Sequence, residues 1–306
     1  MSFGDNLPAL YICGMRKQPI KLHQMQVLRR RFELSENEEK EFENLQAGFL
    51  GELSFDKLLD AHLSGLNVYH VKDYRFKVDG SEVQIDNLLI SGDQAYTFEV
   101  KNYNFDLVYC NKAWHFVNGE EFKDLSMQVN RQRLLLQQLL KKGSFYSASN
   151  NVMSHLVFVN PKQTIYNMPN LENLIVPSNV DKRLSKICKS NYYDQSALYK
   201  FLESQRLVKS IYNIPVDIKF ETLRPGTYCY QCNSTSTLDK IHRNLYKCKN
   251  CKIDYNILQI LQNLQTEITA LNDSWKITPA ILFKLSGGMV SRAVINKYIR
   301  EGKIKL

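Results

Sequence analysis

The chain has 306 residues and a net charge of +9 at pH 7, with 44% hydrophobic and 23% charged residues. This composition excludes long disorder and allows a substantial core, and the length corresponds to about two domains. No apolar run approaches the ~18 residues of a membrane helix, so no membrane partner is expected. The start at Met1–Asp5 is acidic where a signal peptide is basic, which predicts a cytoplasmic protein.

The positive charge is concentrated toward the C-terminal end. Residues 221–306 hold 13 Lys and Arg against 6 Asp and Glu, a net charge of +7, whereas residues 1–220 have a net charge of +2. A compact basic segment favours a polyanionic partner such as nucleic acid, and a plain solubility bias explains the pattern equally well.

The first predicted elements are helices. Residues 20–47 have a charged helical pattern in which Ser35 and Glu38 form a capping box. The basic triplet Arg29–Arg31 within it suits either a solvated helix face or a phosphate contact.

A second helix is predicted for Phe49–Leu63, ended by Gly65. Glu52 falls on the apolar face of this helix at helical spacing. A carboxylate directed into a core needs a partner or a function, so Glu52 is a candidate site residue.

Strand patterns with turn residues between them follow, and then further helices. The predicted strands are Val68–Val78, Glu82–Ile90, Ala95–Lys101, Asp106–Cys110, Ala113–Phe116 and His155–Val159; the predicted helices are Asp124–Lys142 and residues 180–210. This order indicates an α+β or α/β domain with a mixed sheet and flanking helices.

The register of one predicted hairpin brings two carboxylates together. If residues 91–94 close it with a two- or four-residue loop, Ile90 pairs with Ala95 and Asp86 faces Glu99. Like charges directly opposed in a sheet are destabilising. A divalent cation such as Mg²⁺ removes the conflict, and Lys101, two residues beyond Glu99, lies next to the same site. The alternative is an ordinary charged surface strand.

These residues resemble the nuclease-related domain, a family of the PD-(D/E)xK nuclease superfamily. The resemblance covers residues 46–160 and rests on Gly51-Glu52, Gln84-Ile85-Asp86 and the run Phe98–Tyr103. It implies an α/β fold with a restriction-endonuclease-like mixed-sheet core. The superfamily's usual proline before the aspartate is replaced by Ile85, and an Asn-Pro lead-in to the later helix is absent.

The resemblance also implies roles for single residues. Asp86 and Glu99 would be ligands of Mg²⁺ or Mn²⁺, Lys101 the catalytic lysine and Glu52 the supporting helix acid. Gln128 matches the polar residue that the superfamily often carries on the helix after the core strands.

Four of the seven cysteines have the spacing C-x₂-C-x₁₅-C-x₂-C. The pattern, formed by Cys229, Cys232, Cys248 and Cys251, predicts a structural zinc ribbon similar to those of topoisomerases. Two disulfides or an iron site are the alternatives.

Basic and aromatic residues alternate in and around this ribbon. Arg243, Lys247, Lys249 and Lys252 are candidate nucleic-acid contacts and also offset the charge of the thiolates. Four tyrosines suit a stacking surface for single strands, or they pack the small ribbon; they are Tyr228, Tyr230, Tyr246 and Tyr255.

The C-terminal segment predicts two short helices, 280–285 and 290–300, around a glycine turn, followed by a strand at 303–306. This pattern is typical of a helix-turn-helix with a truncated wing and also of a plain helical hairpin. If the segment binds DNA, Ser291, Arg292, Asn296 and Lys297 would face the groove.

The predicted organisation has four parts: a charged helical extension (1–45), a nuclease-related domain (46–215), a zinc ribbon (225–255) and a basic helical module (256–306). The function expected from the resemblance is metal-dependent hydrolysis of nucleic acid, with DNA favoured over RNA. A non-catalytic nucleic-acid-binding or regulatory protein, or an interaction scaffold, is the alternative. The sequence does not indicate the oligomeric state.

Overall fold

A computed structural model describes residues 11–13, 15–189, 193–207, 216 and 218–305. The sequence predictions for Met1–Asp5, for residues 190–192 and 208–210 of the predicted helical region and for Leu306 lie outside these residues. The chain forms two compact units, the first of residues 1–17 and 47–210, the second of residues 18–46 and 211–306.

The first unit contains two sheets and their helices. Its strands are β1 (Tyr11–Cys13), β2 (Val68–Val78), β3 (Ser81–Ser91), β4 (Gln94–Lys101), β5 (Leu107–Cys110), β6 (Ala113–Phe116), β7 (Val152–Phe158), β8 (Ile165–Tyr166) and β9 (Leu174–Ile175). Its helices are most of α2 (Glu36–Leu63), then α3 (Leu125–Lys142), α4 (Tyr146–Asn150), α5 (Val180–Ile187) and α6 (Ser196–Ser204). The main sheet has the order β1-β2-β3-β4-β7-β9, with β2, β3 and β4 antiparallel and β1, β7 and β9 in parallel pairs.

Alternating side chains of the main sheet enter two different cores. Leu88 and Ile90 of β3 pack with residues of α3 and α6, and Leu89 between them packs with residues of α2 and α5. The sheet is therefore covered by helices on both faces. This confirms the predicted α/β fold with a mixed sheet and flanking helices.

Two helical predictions differ from the structure. The helices predicted for residues 20–47 and for Phe49–Leu63 are instead α1 (Ile20–Arg31) and one long α2, which begins after the capping box at Ser35. Gly48 and Gly51 do not interrupt α2, because an isolated glycine costs a helix only about 1 kcal/mol. The predicted helical region 180–210 contains two separate helices, α5 and α6.

The second unit contains a small sheet and a helical segment. Its elements are α1, the first part of α2, a 3₁₀ turn (Phe220–Thr222), β10 (Asp239–His242), β11 (Leu245–Lys247), β12 (Asp254–Asn256), α7 (Ile257–Leu271), α8 (Pro279–Leu285) and α9 (Arg292–Arg300). Leu28 of α1, Tyr246 of the sheet and Leu264 of α7 belong to one apolar cluster. The segments 1–45, 225–255 and 256–306, separate in the sequence prediction, thus contribute to a common core.

Two of the three arginines of the basic triplet of α1 do not lie on a solvated face, which corrects the sequence interpretation for Arg30 and Arg31, whereas Arg29 is exposed. Arg30 and Arg31 are buried, at 2% and 0% exposure, and both bind the buried Glu267 of α7. Arg31 also donates to the backbone oxygens of Arg224 and Gly226, at 2.9 and 3.0 Å. Arg30 and Arg31 therefore act inside the unit and do not form part of its surface charge.

We expect Glu267→Gln to lower the free energy of unfolding by about 3–5 kcal/mol, because it leaves two buried guanidinium groups without their counter-charge. The control is Glu33→Gln, which removes an exposed pair with Arg224 (2.9 Å) and should cost at most about 1 kcal/mol. Urea unfolding in a Trp114→Phe background, where Trp275 alone reports on the second unit, measures both. Equal losses in the two variants would contradict the importance of the buried pair.

Candidate active site and metal centre

The hairpin of β3 and β4 has the predicted register. A two-residue loop of Gly92 and Asp93 closes it, and Ile90 pairs with Ala95. The ladder continues to the pair Asn87–Phe98 and ends there. The predicted register is thus confirmed, but the ladder stops one pair before Asp86 and Glu99, so these two residues are not paired within it.

Beyond the last ladder pair, the carboxylate of Asp86 replaces a backbone oxygen of β3 as the hydrogen-bond acceptor for β4. Its Oδ2 accepts a hydrogen bond from the backbone N–H of Val100 at 2.8 Å. The side chain is buried, with only 7% of the residue exposed. Asp86 thus lies at the point where β3 stops pairing with β4, beside the last residues of β4.

The surroundings of Asp86 disfavour its negative charge. Burial raises the pKa of Asp86 well above its ordinary value, and the nearby charges of Glu99 and Glu52 add to this shift. The hydrogen bond from Val100 and the charge of Lys101 oppose the shift without cancelling it. An uncompensated buried acid of this kind is typical of functional sites.

Lys101 joins Glu99 to helix α3. Its Nζ donates to Glu99 Oε1 at 2.5 Å and to Gln128 Oε1 at 3.1 Å. Burial lowers the pKa of Lys101, but the charge of Glu99 and the hydrogen bond to it raise the pKa by more, so that the net shift is upward. The lysine is therefore a fixed positive charge at this edge of the sheet.

Helix α3 brings two glutamines to Glu99. Gln128 Nε2 donates to Glu99 Oε1 at 2.5 Å, and Gln132 Nε2 donates to Glu99 Oε2 at 2.5 Å. Gln132, which also donates to the backbone oxygen of Gln84, was missed in the sequence analysis. Its spacing of four from Gln128, which places both on one helix face, is the signal that indicates it.

The predicted residues Asp86, Glu99, Lys101 and Gln128 are thus brought to one place, the diverging ends of β3 and β4 under α3. Comparison with protein families identifies this part of the chain: the nuclease-related domain model matches residues 47–159. These residues form a nuclease-related domain. No curated protein and no solved structure matches the chain.

The fifth predicted residue, Glu52, lies in the same nuclease-related domain. Its carboxylate pairs with Arg16, which precedes the matched residues in the sequence. Arg16, whose side chain is 1% exposed, contacts Glu52 Oε2 at 2.7 Å. It also makes a bidentate pair with Asp56, with both distances 2.9 Å, and donates to the backbone oxygen of Asp86 at 2.7 Å. Burial raises the pKa of Glu52 to about 7, although Arg16 acts in the opposite direction.

The sequence analysis missed both Arg16 and Asp56. Asp56 lies four residues after Glu52 on α2, so helical spacing indicates that the two acids share a face. Nothing in the sequence indicates Arg16, which is 36 residues from Glu52 and 70 from Asp86.

A glycine lets helix α2 approach this edge of the sheet. A Cβ atom on Gly51 would lie 2.4 Å from Cβ of Asn102, a distance at which one of the two segments must move. Asn102 follows Lys101 and donates from its side chain to the backbone oxygen of Ala47, at 2.8 Å. The resemblance motif Gly51-Glu52 therefore has a steric basis, because it places Glu52 against the end of β4.

A further lysine lies near the site. The Nζ atom of Lys123 lies 5.8 Å from the ring centre of Tyr103 and 5.6 Å from that of Phe122. Burial lowers the pKa of Lys123, and the charge of Lys101 lowers it further. Lys123 directly precedes Asp124, the N-cap of α3, and the sequence analysis did not identify it as a site residue.

The residues present fit a magnesium ion bound by few protein ligands. Mg²⁺ usually keeps several waters and uses one or two carboxylates, and here Asp86 and Glu99 are two buried carboxylates with too little positive charge between them. Among the described residues, only the four cysteines bring three or more metal-ligating side chains within 4.8 Å of one another. Within the nuclease-related domain, Asp86 and Glu99 are therefore the two carboxylates that could hold such an ion, whereas Glu52 is bound by Arg16.

The four cysteines of the second unit form a cluster compatible with a zinc ribbon. The Sγ atoms of Cys229, Cys232, Cys248 and Cys251 all lie within 4.8 Å of one another. Cys229 and Cys251 are 3.5 Å apart and Cys232 and Cys248 are 3.6 Å apart, near the ~3.8 Å expected for two thiolates on tetrahedral zinc. The four cysteines are free, and the mutual approach of all four Sγ atoms favours one metal site over two disulfides.

The four ribbon tyrosines do not form an exposed stacking surface. Tyr228, Tyr246 and Tyr255 are buried, at 6%, 0% and 8% exposure, and the partly buried Tyr230 donates its hydroxyl to the backbone oxygen of Asn263 at 2.6 Å. Their packing inside the second unit confirms the alternative interpretation.

The predicted basic contacts of the ribbon lie on its surface. Arg243, Lys249 and Lys252 are exposed and Lys247 is half-buried. Lys247 and Lys249 already face acids, Asp254 at 3.7 Å and Asp239 at 3.1 Å. Such surface pairs are weak and exchange readily for a phosphate.

Two short helices follow at the C-terminal end, as predicted. Ser291 caps α9 through Val294, and Arg292, Asn296 and Lys297 are exposed with Ser291 on the same element. The predicted strand after α9 is absent, since the described residues Lys303–Lys305 form turns and bends. The described residues after α9 therefore do not form a wing for this pair of helices.

We expect Asp86→Asn to stabilise the protein at about pH 8 without divalent ions, because the asparagine cannot ionise and can still accept from Val100. The folded-state pKa of Asp86 is raised, so its contribution to stability is lost as the pH rises through that pKa. Thermal unfolding with and without Mg²⁺ tests this: Mg²⁺ should raise the melting temperature of the wild type and not that of Asp86→Asn.

The control for that comparison is Asp181→Asn, which changes an exposed acid (84%) of the same unit. It should leave the response to Mg²⁺ unchanged. Equal Mg²⁺ responses in wild type and Asp86→Asn would show that Asp86 does not hold the ion. Chelators should be omitted, because they would also remove zinc.

We expect one zinc ion per chain and none in Cys232→Ser, because three thiolates hold zinc far more weakly than four. Metal analysis after dialysis measures it, with Cys110→Ser, an exposed cysteine of the first unit, as control. Zinc in equal amounts in both variants, or iron in place of zinc, would contradict the assignment.

Proposed function

We propose that the protein is a metal-dependent nuclease that hydrolyses phosphodiester bonds of nucleic acid, with DNA favoured over RNA. The observation that carries the proposal is the group formed by Glu99, Lys101 and Gln128 next to the uncompensated Asp86. It lies within the matched nuclease-related domain. The resemblance of the cysteine motif to ribbons of DNA-processing proteins supports DNA as the substrate.

Asp86 and Glu99 would hold Mg²⁺ or Mn²⁺. When bound, such an ion supplies Lewis-acid stabilisation of the charge on the phosphate oxygens. Asp86 would offer the carboxylate oxygen that Val100 does not bind. The two glutamines would keep Glu99 in a single orientation, since each donates to a different oxygen of its carboxylate.

Lys101 would act on the water and on the phosphate. Its ammonium is held at 2.5 Å from Glu99, so it can donate to the attacking water or neutralise charge that develops on a phosphate oxygen in the transition state. Gln128 would position this lysine, because its Oε1 accepts a hydrogen bond from Lys101 Nζ. Glu52 would support the site from α2 through Arg16, which also binds the backbone oxygen of Asp86.

The second unit would bind the nucleic acid. Its surface candidates are Arg243, Lys247, Lys249, Lys252, Arg292 and Lys297. A zinc ion bound by the four cysteines would hold the ribbon folded without taking part in catalysis. We place the protein in the cytoplasm, where reducing conditions keep such cysteines available for zinc. None of the described helices combines the length and apolar character needed to cross a bilayer.

We expect cleavage of plasmid or single-stranded DNA that requires Mg²⁺ or Mn²⁺ and is abolished by Lys101→Ala and by Asp86→Ala. Lys101→Ala removes a charge that acts on the reacting phosphate, and Asp86→Ala removes a proposed ligand of the metal ion. Losses of about 100-fold or more are usual for groups that stabilise the transition state. Time courses on both substrates, with RNA as a third, measure this. Lys162→Ala, an exposed lysine of the same unit, is the control.

Full cleavage by the Asp86→Ala variant would exclude the assigned site. If the wild type does not cut any of the substrates but still binds them in a salt-dependent manner, the protein is the non-catalytic binding protein of the alternative hypothesis.

A further inference from the structure

A groove in the second unit combines aromatic rings with lysines and has no role in the site described above. It has a volume of about 710 Å³, within the range of small-ligand sites. Its lining includes Lys219, Phe220, Trp275, Lys276 and Lys284. We call it the lysine–aromatic groove.

The aromatic part of the groove is fixed in position. The rings of Phe220 and Trp275 make an edge-to-face contact, with centroids 5.6 Å apart and planes at 84°. Both residues are partly buried, so each keeps some surface open to the groove. The 3₁₀ turn Phe220–Thr222 holds one ring, and a short connection between α7 and α8 holds the other.

The charged part of the groove is strongly positive. Lys219, Lys276 and Lys284 are exposed, and none of them forms an ion pair within the described part of the chain. Lys284 instead places its ammonium 5.3 Å from the ring centre of Phe220. Glu221 is the single acid of the lining. Three unpaired cations around an aromatic floor are complementary to a ligand that is both anionic and flat.

We propose that the lysine–aromatic groove binds single-stranded nucleic acid, with one base against Trp275 and backbone phosphates at the lysines. This inference rests on the proposed function and adds a specific contact site to it. Stacking on an aromatic residue requires an unpaired base, which duplex DNA does not offer. An acidic peptide would match the lysines but would leave the ring faces without a flat partner.

The two tryptophans of the chain make a direct test available. Trp114, in the first unit, is 2% exposed, so quenching of tryptophan fluorescence by a ligand in solution reports mainly on Trp275. The protein should be zinc-loaded, carry Lys101→Ala and be free of Mg²⁺, so that no cleavage occurs. Titration with oligothymidylate should then quench the fluorescence in a saturable manner, and equally so in a Trp114→Phe background.

Variants in the groove give the affinity of the same site. With a labelled oligothymidylate and fluorescence anisotropy, Trp275→Ala should bind about tenfold more weakly, or more weakly still, as expected for the loss of one stacked base. Lys276→Gln changes only an exposed charge and should reduce the slope of log affinity against log salt by about 0.7, the value for one phosphate contact on a single strand. Lys305→Gln, an exposed lysine outside the groove lining, should change neither quantity.

Three results would overturn the proposal. The first is binding by anisotropy without quenching of Trp275, which would place the nucleic acid elsewhere. The second is an equal effect of Lys276→Gln and Lys305→Gln, which would show general attraction instead of a site. The third is equal quenching by polyglutamate. These measurements use a cleavage-deficient protein, so they test the groove separately from the nuclease activity. The groove can fail to bind although the wild type cleaves DNA, and it can bind although the wild type does not.

Discussion

The site of the first unit depends on one hydrogen bond that ends a β-ladder. The carboxylate of Asp86 accepts from the backbone of Val100, so the pairing of β3 with β4 stops at Asn87–Phe98. The strands separate beyond this point, and the last residues of β4 become available to α2 and α3. A residue with no acceptor at position 86 would leave the N–H of Val100 without this partner, which is costly for a buried group.

The charges around this opening are divided between two cations. Arg16 binds Glu52 and Asp56 on the α2 side, and Lys101 binds Glu99 on the α3 side. Asp86 lies between these two cations. Arg16 donates only to its backbone oxygen, and among the described contacts its carboxylate forms no ion pair with Lys101. Of the four acids, Asp86 is thus the one without a cationic partner among the described contacts. The proposed divalent ion would supply that positive charge, shared with Glu99.

Local patterns in the sequence predicted much of this structure, and long-range contacts account for what they missed. The turn at Gly92 and the alternating apolar and polar residues of β3 and β4 determine the register of the hairpin, which was predicted. The end of the ladder was not predicted, because it depends on the Asp86 side chain replacing a backbone hydrogen bond. Gln128 was found by resemblance. Arg16 could not be found, because the residues it binds are far away in sequence. Arg30 and Arg31 of α1 were misread because helical periodicity does not indicate which element covers a face.

In the second unit the four-cysteine cluster and a buried ion pair adjoin the same core. The ribbon sheet is too small for a core of its own, and its Tyr246 and two of its cysteines pack in one cluster with α1 and α7. Arg31 connects Glu267 of α7 to the backbone at Arg224 and Gly226, just before the first cysteine knuckle. Loss of the ion pair and loss of zinc therefore act on a shared cluster, so their effects on stability should be coupled and not additive. Binding of nucleic acid in the lysine–aromatic groove would also depend on the zinc ion and the ion pair, because one side of the groove is the connection that follows the core helix α7.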